Sequence, residues 1–545
     1  MRTISKDRNT CLPLPHRGEG RGEGKNSSSS PARRSALSLT LSPAGERGTG
    51  GTLLLLLALT ACGGRGTLYT QPLKPLPTVA TSSAIVTVVP QTNRAVIIRP
   101  DTTTPSALRL APGARLAARI PHADALVVLT GTPRAPTVDL VDVSTNEVET
   151  LGLPGYFDAV AFSPDGRFGV FTYDAATTSG PLVARNLNEV GLLTVGTRAV
   201  SRLQLDTESL APRGVLFGPV EPNRQLVAVS LERGVALFDA LHPDVPARRI
   251  TIRPPGTASE SSVVEAVFSR DAHWLFLRAS ALDDVIAIEL GSEVGQPPSA
   301  SINFVSGGRG LTDLEASPEG FADSVIAVFA ISRELWLLDA RGITDNSKKL
   351  SAPEAISTAS VLSGTRVLAW DARGSKGVVA WDVADGRSGS SVLDGTTTAA
   401  TLVPSMGKAL FFHSGTAAGG PSLSTITVAD ETNRLRLRLQ SIQLSRAVQA
   451  SALDDASQRL FFSVNASPSV VTVELGSLRL AELPLDTPSS TIHYLPDVDF
   501  LASVNATSDR LGDVTLWPAG EIERSRAIRF TDFLFTGDLD RAEAP

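Results

Sequence analysis

The side chains in this sequence that could ligate a metal or transfer a proton are few and far apart. The histidines are His16, His122, His242, His273, His413 and His493. No two of them have the short spacing of paired metal ligands. Two of them, His273 and His413, lie at the start and the end of apolar runs, which is typical of polar residues at strand tips. The histidines therefore predict no local metal site.

Ser405 and Lys408 have the spacing of the serine nucleophile and lysine in penicillin-binding enzymes. That chemistry requires the serine at the start of a helix, together with Ser-Asp-Asn and Lys-Thr-Gly elements. Lys-Thr-Gly is absent from the sequence, and Thr344-Asp345-Asn346 is a poor substitute for Ser-Asp-Asn. The pair lies where a turn between strands is predicted, so we interpret it as part of that turn.

Paired carboxylates and glycine-rich stretches also lack the context that chemistry requires. A calcium site needs about six to eight oxygen ligands, whereas Asp283-Asp284 and Asp454-Asp455 stand alone and fit solvated turns. The glycine-rich stretches 307–310 and 415–420 have no following Lys-Ser or Lys-Thr, so they predict no phosphate site. Local motifs thus indicate no catalytic residue, no metal and no cofactor.

The most specific signal is a short leucine-rich run from Leu53 that ends in Leu59-Thr60-Ala61-Cys62. It has the length of a signal-peptide hydrophobic region and is too short to span a bilayer. It resembles the bacterial lipobox, and a buried strand or helix is the alternative interpretation. The resemblance implies lipidation at Cys62, with Leu59, Thr60 and Ala61 as the lipobox. Because Gly63 rather than aspartate follows Cys62, it further implies an outer-membrane lipoprotein.

Composition supports this interpretation and excludes one class of partner. Residues 1–61 are of low complexity and form a predicted leader with the signal peptide, and residues 62–81 form a predicted flexible tether. The formal net charge is −6 although the leader is basic, so the remainder is acidic, which argues against nucleic acid as a partner. Cys11 and Cys62 are the two cysteines. The body therefore has no thiol, which excludes disulfides and cysteine metal sites and suits an oxidising envelope compartment.

From Ser82 onward the sequence repeats one β pattern. The clearest copy has a strand at 159–162, the turn Ser163-Pro164-Asp165-Gly166-Arg167 and a second strand at 168–171. Proline and Asp-Gly supply the backbone angles of a hairpin turn. Weaker copies of this pair of strands occur at 266–277, 314–329, 402–412 and 452–462. A third strand that ends in aspartate recurs at 138–142, 235–239, 335–339 and 378–382, and a related segment occurs at 514–517.

The starts of the second strands recur at about the 40–50-residue spacing of propeller blades. They are placed near Ala125, Phe168, Leu226, Leu275, Val325, Val367, Ala409, Leu460 and Phe500. The Phe-Ser-Pro-Asp-Gly-Arg segment resembles the WD40, YVTN and TolB-like β-propeller superfamily, although the Gly-His dipeptide of true WD40 repeats is missing. We predict an all-β fold, a single propeller of four-stranded blades over residues 82–545.

The sequence predicts the number of blades less directly than it predicts the fold. The nine strand starts and an incomplete unit at 84–99 exceed the usual limit of eight blades. We expect seven or eight blades, with a larger ring as the alternative, and a C-terminal strand at 527–530 that completes the first unit.

Two functions fit this architecture. The first is a non-catalytic, lipid-anchored scaffold that contacts envelope proteins or polymers, and the absence of a local catalytic constellation favours it. Its candidate binding connections are 177–181 and 340–349. The second is a hydrolase, because the resemblance includes lactonases that hold a metal in the central channel. Such a site is assembled from several blades and leaves no local motif.

Overall fold

The computed structural model describes residues 73–173, 186–208, 210–256, 259–280, 282–413, 420–506, 512–520 and 526–534. The predicted leader, the lipobox and Cys62 lie outside these residues. The chain divides into residues 1–72 and a second unit that begins at Leu73, and the second unit is the fold described below. Within the described ranges no helix is long and apolar enough to cross a membrane.

The second unit consists of four-stranded antiparallel sheets, each formed by four strands that are consecutive in the chain. We number these sheets as blades 1 to 10. Blade 1 contains β1 Val79–Ala80, β2 Ile85–Val89, β3 Arg94–Ile98 and β4 Ser106–Arg109, and blade 2 contains β5 Leu116–Arg119, β6 Ala125–Thr132, β7 Ala135–Asp142 and β8 Glu147–Gly152. Blade 3 contains β9 Ala159–Phe162, β10 Phe168–Thr172, β11 Glu189–Thr194 and β12 Ala199–Gln204, and blade 4 contains β13 Pro212–Phe217, β14 Leu226–Leu231, β15 Val235–Asp239 and β16 Arg248–Ile250. Blade 5 contains β17 Val263–Phe268, β18 Trp274–Ala279, β19 Val285–Leu290 and β20 Ala300–Val305.

Blades 6 to 10 follow the same order. Blade 6 contains β21 Leu311–Ala316, β22 Ser324–Phe329, β23 Glu334–Asp339 and β24 Lys348–Ser351, and blade 7 contains β25 Thr358–Ser363, β26 Arg366–Trp370, β27 Gly377–Asp382 and β28 Ser388–Val392. Blade 8 contains β29 Thr397–Val403, β30 Lys408–His413, β31 Ser422–Glu431 and β32 Arg434–Gln443, and blade 9 contains β33 Val448–Asp454, β34 Arg459–Val464, β35 Ser469–Glu474 and β36 Leu480–Pro484. Blade 10 contains β37 Thr491–Leu495, β38 Phe500–Asn505, β39 Asp513–Pro518 and β40 Ile528–Thr531. Short 3₁₀ helices lie at Pro90–Thr92, Thr344–Asn346 and Pro404–Met406.

The second and third strands of each blade are apolar on both faces, because each sheet is covered by a neighbour on either side. Every residue of β2 and of β22 is buried, for example. The buried residues form separate clusters, each of which joins two adjacent blades. One such cluster packs Phe276 of blade 5 against Phe329 of blade 6. The sheets are thus arranged in series, with one apolar core at each junction.

Blade 10 packs against blade 1 and closes the ring. Their shared cluster combines Ile85 and Ile98 of blade 1 with Leu516 of blade 10, and Leu73 and Phe533 complete it. The Asp497 N–H also donates to the Ser82 carbonyl oxygen at 3.0 Å. No strand is shared between these two blades among the described residues. Closure therefore depends on side-chain packing and not on a strand exchanged between the chain ends.

The prediction of seven or eight blades was wrong, and the larger ring of ten is present. All nine predicted strand starts and the N-terminal unit correspond to separate blades, so the usual limit on blade number was the misleading assumption. The first unit is complete without a C-terminal strand, because β1 and β4 supply its missing strands. The predicted closing strand at 527–530 instead overlaps β40, the outer strand of blade 10.

The ring also begins earlier in the chain than predicted. Residues 73–81 were assigned to the tether, but Leu73 is buried in the closing cluster. The Leu76 N–H donates to the Val88 carbonyl oxygen at 2.9 Å, and β1 pairs with β2. The prolines in this stretch are typical of a tether, but its apolar residues pack against blade 1.

The serine of the repeated turn has a structural role. The Ser163 hydroxyl donates to the Asp165 carboxylate at 2.7 Å and accepts the Phe168 N–H at 3.0 Å. Ser269 repeats this pattern with Asp271 at 2.6 Å and the Trp274 N–H at 2.9 Å. The motif that carries the superfamily resemblance thus fixes the turn between the first two strands of a blade.

We expect Phe533→Ala to weaken ring closure, because Phe533 is buried where blades 10 and 1 meet. The cost is expected to be about 3–5 kcal/mol, the usual range for truncating a buried phenylalanine. Amide hydrogen exchange measured by mass spectrometry should then increase in blades 1 and 10. Phe329→Ala is the control, since it opens the junction of blades 5 and 6. Unchanged exchange in blade 1 after Phe533→Ala would contradict closure by packing.

Candidate functional site

In most blades the first strand contacts the first strand of the next blade, as expected for the strands that form the wall of the central channel of a propeller. Five of them contain a β-bulge near their start, in blades 4, 5, 6, 8 and 9. A bulge adds one residue that has no partner in the next strand and redirects the side chains around it. The extra residues are Arg213, Val264, Thr312, Thr398 and Gln449. The channel wall therefore presents a repeated irregularity at one end.

Two carboxylic acids follow these bulges at equivalent positions of adjacent blades. They are Glu265 on β17 and Asp313 on β21, each the first residue paired after the extra one. Their strands contact each other, and Glu265 is close enough to Asp313 to influence its ionisation. Gly214, Ala399 and Ala450 occupy the same position in blades 4, 8 and 9. The acidic pair is thus specific to blades 5 and 6.

Each member of the pair has a partner on a further strand. Arg278 Nε donates to Glu265 Oε2 at 2.9 Å from β18 of the same blade. Asp313 Oδ2 accepts the Thr358 hydroxyl at 2.7 Å and the Ala359 N–H at 2.8 Å, both from blade 7. A continuous polar chain consequently joins the inner strands of three consecutive blades.

Burial raises the pKa of Asp313 to about 7, and the nearby charge of Glu265 adds to this effect. The hydrogen bonds from Ala359 and Thr358 act in the opposite direction, since they favour the ionised carboxylate. A carboxylic acid with a pKa near neutral is suited to general acid–base chemistry. Within the described residues, however, no three His, Cys, Asp or Glu side chains are grouped so as to hold a metal ion.

The structure places Ser405 in the turn between β29 and β30, and Lys408 in the first position of the strand that follows this turn. Ser405 lies in the 3₁₀ helix Pro404–Met406, and its hydroxyl donates to Asp455 of the next blade. Lys408 begins β30, is buried, and donates its amine to the Leu475 carbonyl oxygen. The serine and the lysine therefore join blades 8 and 9 through separate contacts.

The described histidines are dispersed over the ring. His413 is buried at the end of β30, where Nε2 lies 2.8 Å from the Ser424 hydroxyl and burial lowers its pKa. His242 Nδ1 lies 2.8 Å from Asp239, the aspartate that ends β15. Burial lowers the pKa of His493 to about 4. His122 and His273 lie in turns of blades 2 and 5, and His16 lies outside the described residues.

The two pairs of aspartates that were predicted to be turn residues accept hydrogen bonds from other residues of the chain. Asp283 accepts the Gly310 N–H at 2.9 Å, and Asp284 accepts the Ser306 hydroxyl at 2.7 Å. Asp454 accepts the Ser457 N–H at 3.1 Å and is buried, unlike the solvated turn residue that was expected. Of the candidate binding connections, 177–181 lies outside the described residues, and 340–349 is held to Asp339 through the N–H groups of Arg341 and Ile343.

Glu265 and Asp313 were missed in the sequence, although a signal for them exists. The repeats recognised in blades 5 and 6 begin at Ala266 and Leu314, one residue after each acid. Aligning the repeats one residue further back places the two acids at one position. That alignment indicates proximity across a blade junction, which no local motif reports.

Comparisons with known proteins assign no family to this chain. No protein-family model matches the chain, and no curated protein matches it. The chain is similar to the dihydro-heme d1 dehydrogenase NirN at 12% identity, with a TM-score of 0.40, over 70% of this chain and 77% of that one. It is similar to AztD from Citrobacter koseri at 11% identity, with a TM-score of 0.35, over 66% and 95% of the two chains. The β-propeller domain of Cps50 (Swd1) from Myceliophteria thermophila matches at 15% identity, with a TM-score of 0.32, over 63% and 91%.

We expect the raised pKa of Asp313 to affect how the stability of the protein depends on pH. Because the folded-state pKa of Asp313 is raised from 3.8 to about 7, its contribution to stability is complete below about pH 4 and is lost as the pH rises through 7. Asp313→Asn mimics the protonated acid and should flatten the dependence of the melting temperature on pH between 5 and 8. Glu147→Gln on the exposed strand β8 is the control. An Asp313→Asn profile that parallels the wild type would contradict this assignment.

Proposed function

We propose that this protein is a lipid-anchored, non-catalytic scaffold of the bacterial cell envelope that binds envelope proteins or polymers. The closed ring of complete blades carries this proposal. Each sheet is fixed by apolar clusters on both of its faces, so the ring presents its turns and outer strands in set positions. A binding surface that is ordered before it meets its partner avoids the entropic cost of ordering.

The ring offers two distinct surfaces of turns. The turns between the first and second strands and between the third and fourth lie at one face, and the remaining connections lie at the other. Turns of this kind accept sequence change without disturbing the sheets, which is why binding residues are usually found on them. Aspartates that end third strands, such as Asp239 and Asp339, hold these turns through bonds to the N–H groups that follow.

The lipobox supports the anchoring part of the proposal. Lipidation of Cys62 would attach the chain to a membrane, and the acyl chains of a diacylglyceryl group supply stable anchoring. The residues between Cys62 and Leu73 can span at most about 40 Å when fully extended. Leu73 is buried at the junction of blades 1 and 10. In this proposal the lipid keeps the ring close to the outer membrane, facing partners in the envelope.

The second candidate is a hydrolase with its site in the central channel. The Glu265–Asp313 pair favours this candidate, because it places a proton near neutral pH in the channel wall. The bonds from Arg278, Thr358 and Ala359 favour the scaffold, because they give both acids partners within the ring. Metal content of the purified protein and an ester and lactone hydrolysis screen separate the two. Activity that Asp313→Asn abolishes, while the fold is kept, supports the enzyme.

A crosslinked pull-down from native envelope tests the scaffold. The protein carries a C-terminal tag, and Cys62→Ala is the matched control because it removes the lipidated thiol. We expect a specific envelope protein or polymer to be recovered with the wild type and to be reduced or absent with Cys62→Ala. Recovery of nothing specific with either form would contradict the proposed function.

A further inference from the structure

Blade 8 differs from the other blades in its outer hairpin. Both β31 and β32 contain ten residues, whereas the described third and fourth strands of the other blades contain three to eight. Strand β30 pairs with β31 only as far as Thr427, so the rest of the hairpin projects beyond the body of the blade. A projecting hairpin in a solvent-exposed position needs support from elsewhere in the fold.

Blade 7 provides that support. Arg387 donates to the Glu431 carbonyl oxygen at 3.1 Å and pairs with Asp430 at 3.2 Å, and Arg366 also pairs with Asp430. A Cβ atom at Gly389 would lie 2.0 Å from the Leu435 carbonyl oxygen, so the glycine permits close approach of β28 and β32. The hairpin is therefore held on its blade 7 side.

The two faces of β32 differ in chemistry. Leu435, Leu437 and Leu439 pack towards blade 7. The alternate residues Arg434, Arg436 and Arg438 are exposed on the opposite face, and the first two side chains are 72% and 60% exposed. Arg434 and Arg436 both pair with Glu431. Arg438 has no ion pair with any described residue. Three arginines on one strand face stand out in an acidic protein.

The arginine face leads towards a groove between blades 8 and 9 that both apolar and polar side chains line. Ile442 lies on the same face of β32, since side chains alternate along a strand, and it packs towards blade 9. Beyond it a cavity of about 360 Å³ has apolar side chains on one part of its lining, including Leu444, Phe462, Val471 and Leu480, and the polar side chains Gln443, Ser445 and Glu482 on the rest. Leu480 lies on the outer strand β36 and is 45% exposed. The three arginines and the apolar side chains of the groove thus follow one another along one side of blade 8.

Strand β32 also has an unused edge. It is the last strand of its sheet, and no described strand pairs with its outer side. An extended peptide can add to such an edge through main-chain hydrogen bonds. Side chains at alternate positions of the added strand would then face the arginines, which follow one another at about 6.8 Å along the strand. Carboxylates are the preferred partners of guanidinium groups in this arrangement.

We propose that β32 and the groove beside it bind an extended segment of an envelope protein with acidic residues at alternate positions and an apolar residue near one end. The acidic side chains pair with Arg434, Arg436 and Arg438, and the apolar side chain enters the groove near Leu480. This inference rests on the proposed scaffold function, for which it names the chemistry of the partner.

Fluorescence anisotropy with a labelled peptide tests the inference. The probe has the length of β32, alternates glutamate with threonine, and ends in an apolar leucine segment. We expect saturable binding that weakens with salt, and a loss of about tenfold or more for the combined variant R434Q, R436Q and R438Q. The matched control combines R109Q, R202Q and R529Q, which removes three arginines from the outer strands of blades 1, 3 and 10. It should bind as the wild type does.

Further variants and probes separate the contributions of charge, groove and lipid. Arg438→Gln alone should weaken binding without removing an ion pair, and Leu480→Asp should weaken it through the groove. Circular dichroism and melting temperature verify that each variant is folded. Equal affinity for a peptide of the same composition with contiguous glutamates would overturn the inference, because it would indicate non-specific charge attraction. Arginine-dependent binding to vesicles containing phosphatidylglycerol, without binding of the peptide, would overturn it in favour of a lipid surface.

The absence of any peptide binding would also overturn the inference. The arginines would then be explained as charges on an edge strand, which serve to prevent aggregation. The pull-down distinguishes this failure from that of the proposed function. A partner recovered equally by the wild type and by the combined arginine variant would support the scaffold function and would exclude β32 as its binding site. Recovery of no partner contradicts the scaffold itself.

Discussion

Each sheet of this protein has two apolar faces, and this constraint determines the rest of the structure. A single blade cannot bury both faces, so it requires a neighbour on either side, and a ring supplies one for every blade. The buried aromatic side chains show how much depends on these junctions: Trp274, Phe276 and Phe329 all lie between blades 5 and 6. Full burial of one such side chain contributes about 1.5–3 kcal/mol. The described body has no disulfide to replace this contribution, since Cys11 and Cys62 precede it.

The repeat could be predicted from the sequence because most of its second and third strands are rich in apolar residues and its turns contain proline, aspartate and glycine. Predicted strand starts such as Phe168 and Leu226 coincide with observed ones, and Leu275 and Val325 lie one residue inside their strands. The blade number could not be read as directly. Strand β1 contains two residues, and the outer strands are partly polar, so the completeness of the first blade depends on pairing that the pattern does not reveal.

The candidate sites were largely hidden for a related reason. Glu265 and Asp313 are distant in sequence and become neighbours because adjacent inner strands carry bulges at the same point. The long alternating run from Arg434 to Gln443 is visible in the sequence, but its exposure depends on the packing of β32 against blade 7. By contrast, Cys62 was proposed from a local motif and stays a prediction, because it lies outside the described residues. The features that distinguish this ring are departures from its repeat, at the acidic pair and at the blade 8 hairpin.

The central structural feature of the protein is a ring of ten complete blades closed by packing between blades 10 and 1. Electron microscopy of the purified protein, with two-dimensional averaging of views down the channel axis, tests this directly. We predict closed rings with ten blades around an open centre. Averages that show seven or eight blades, or an open arc with a gap between its first and last blades, would contradict it.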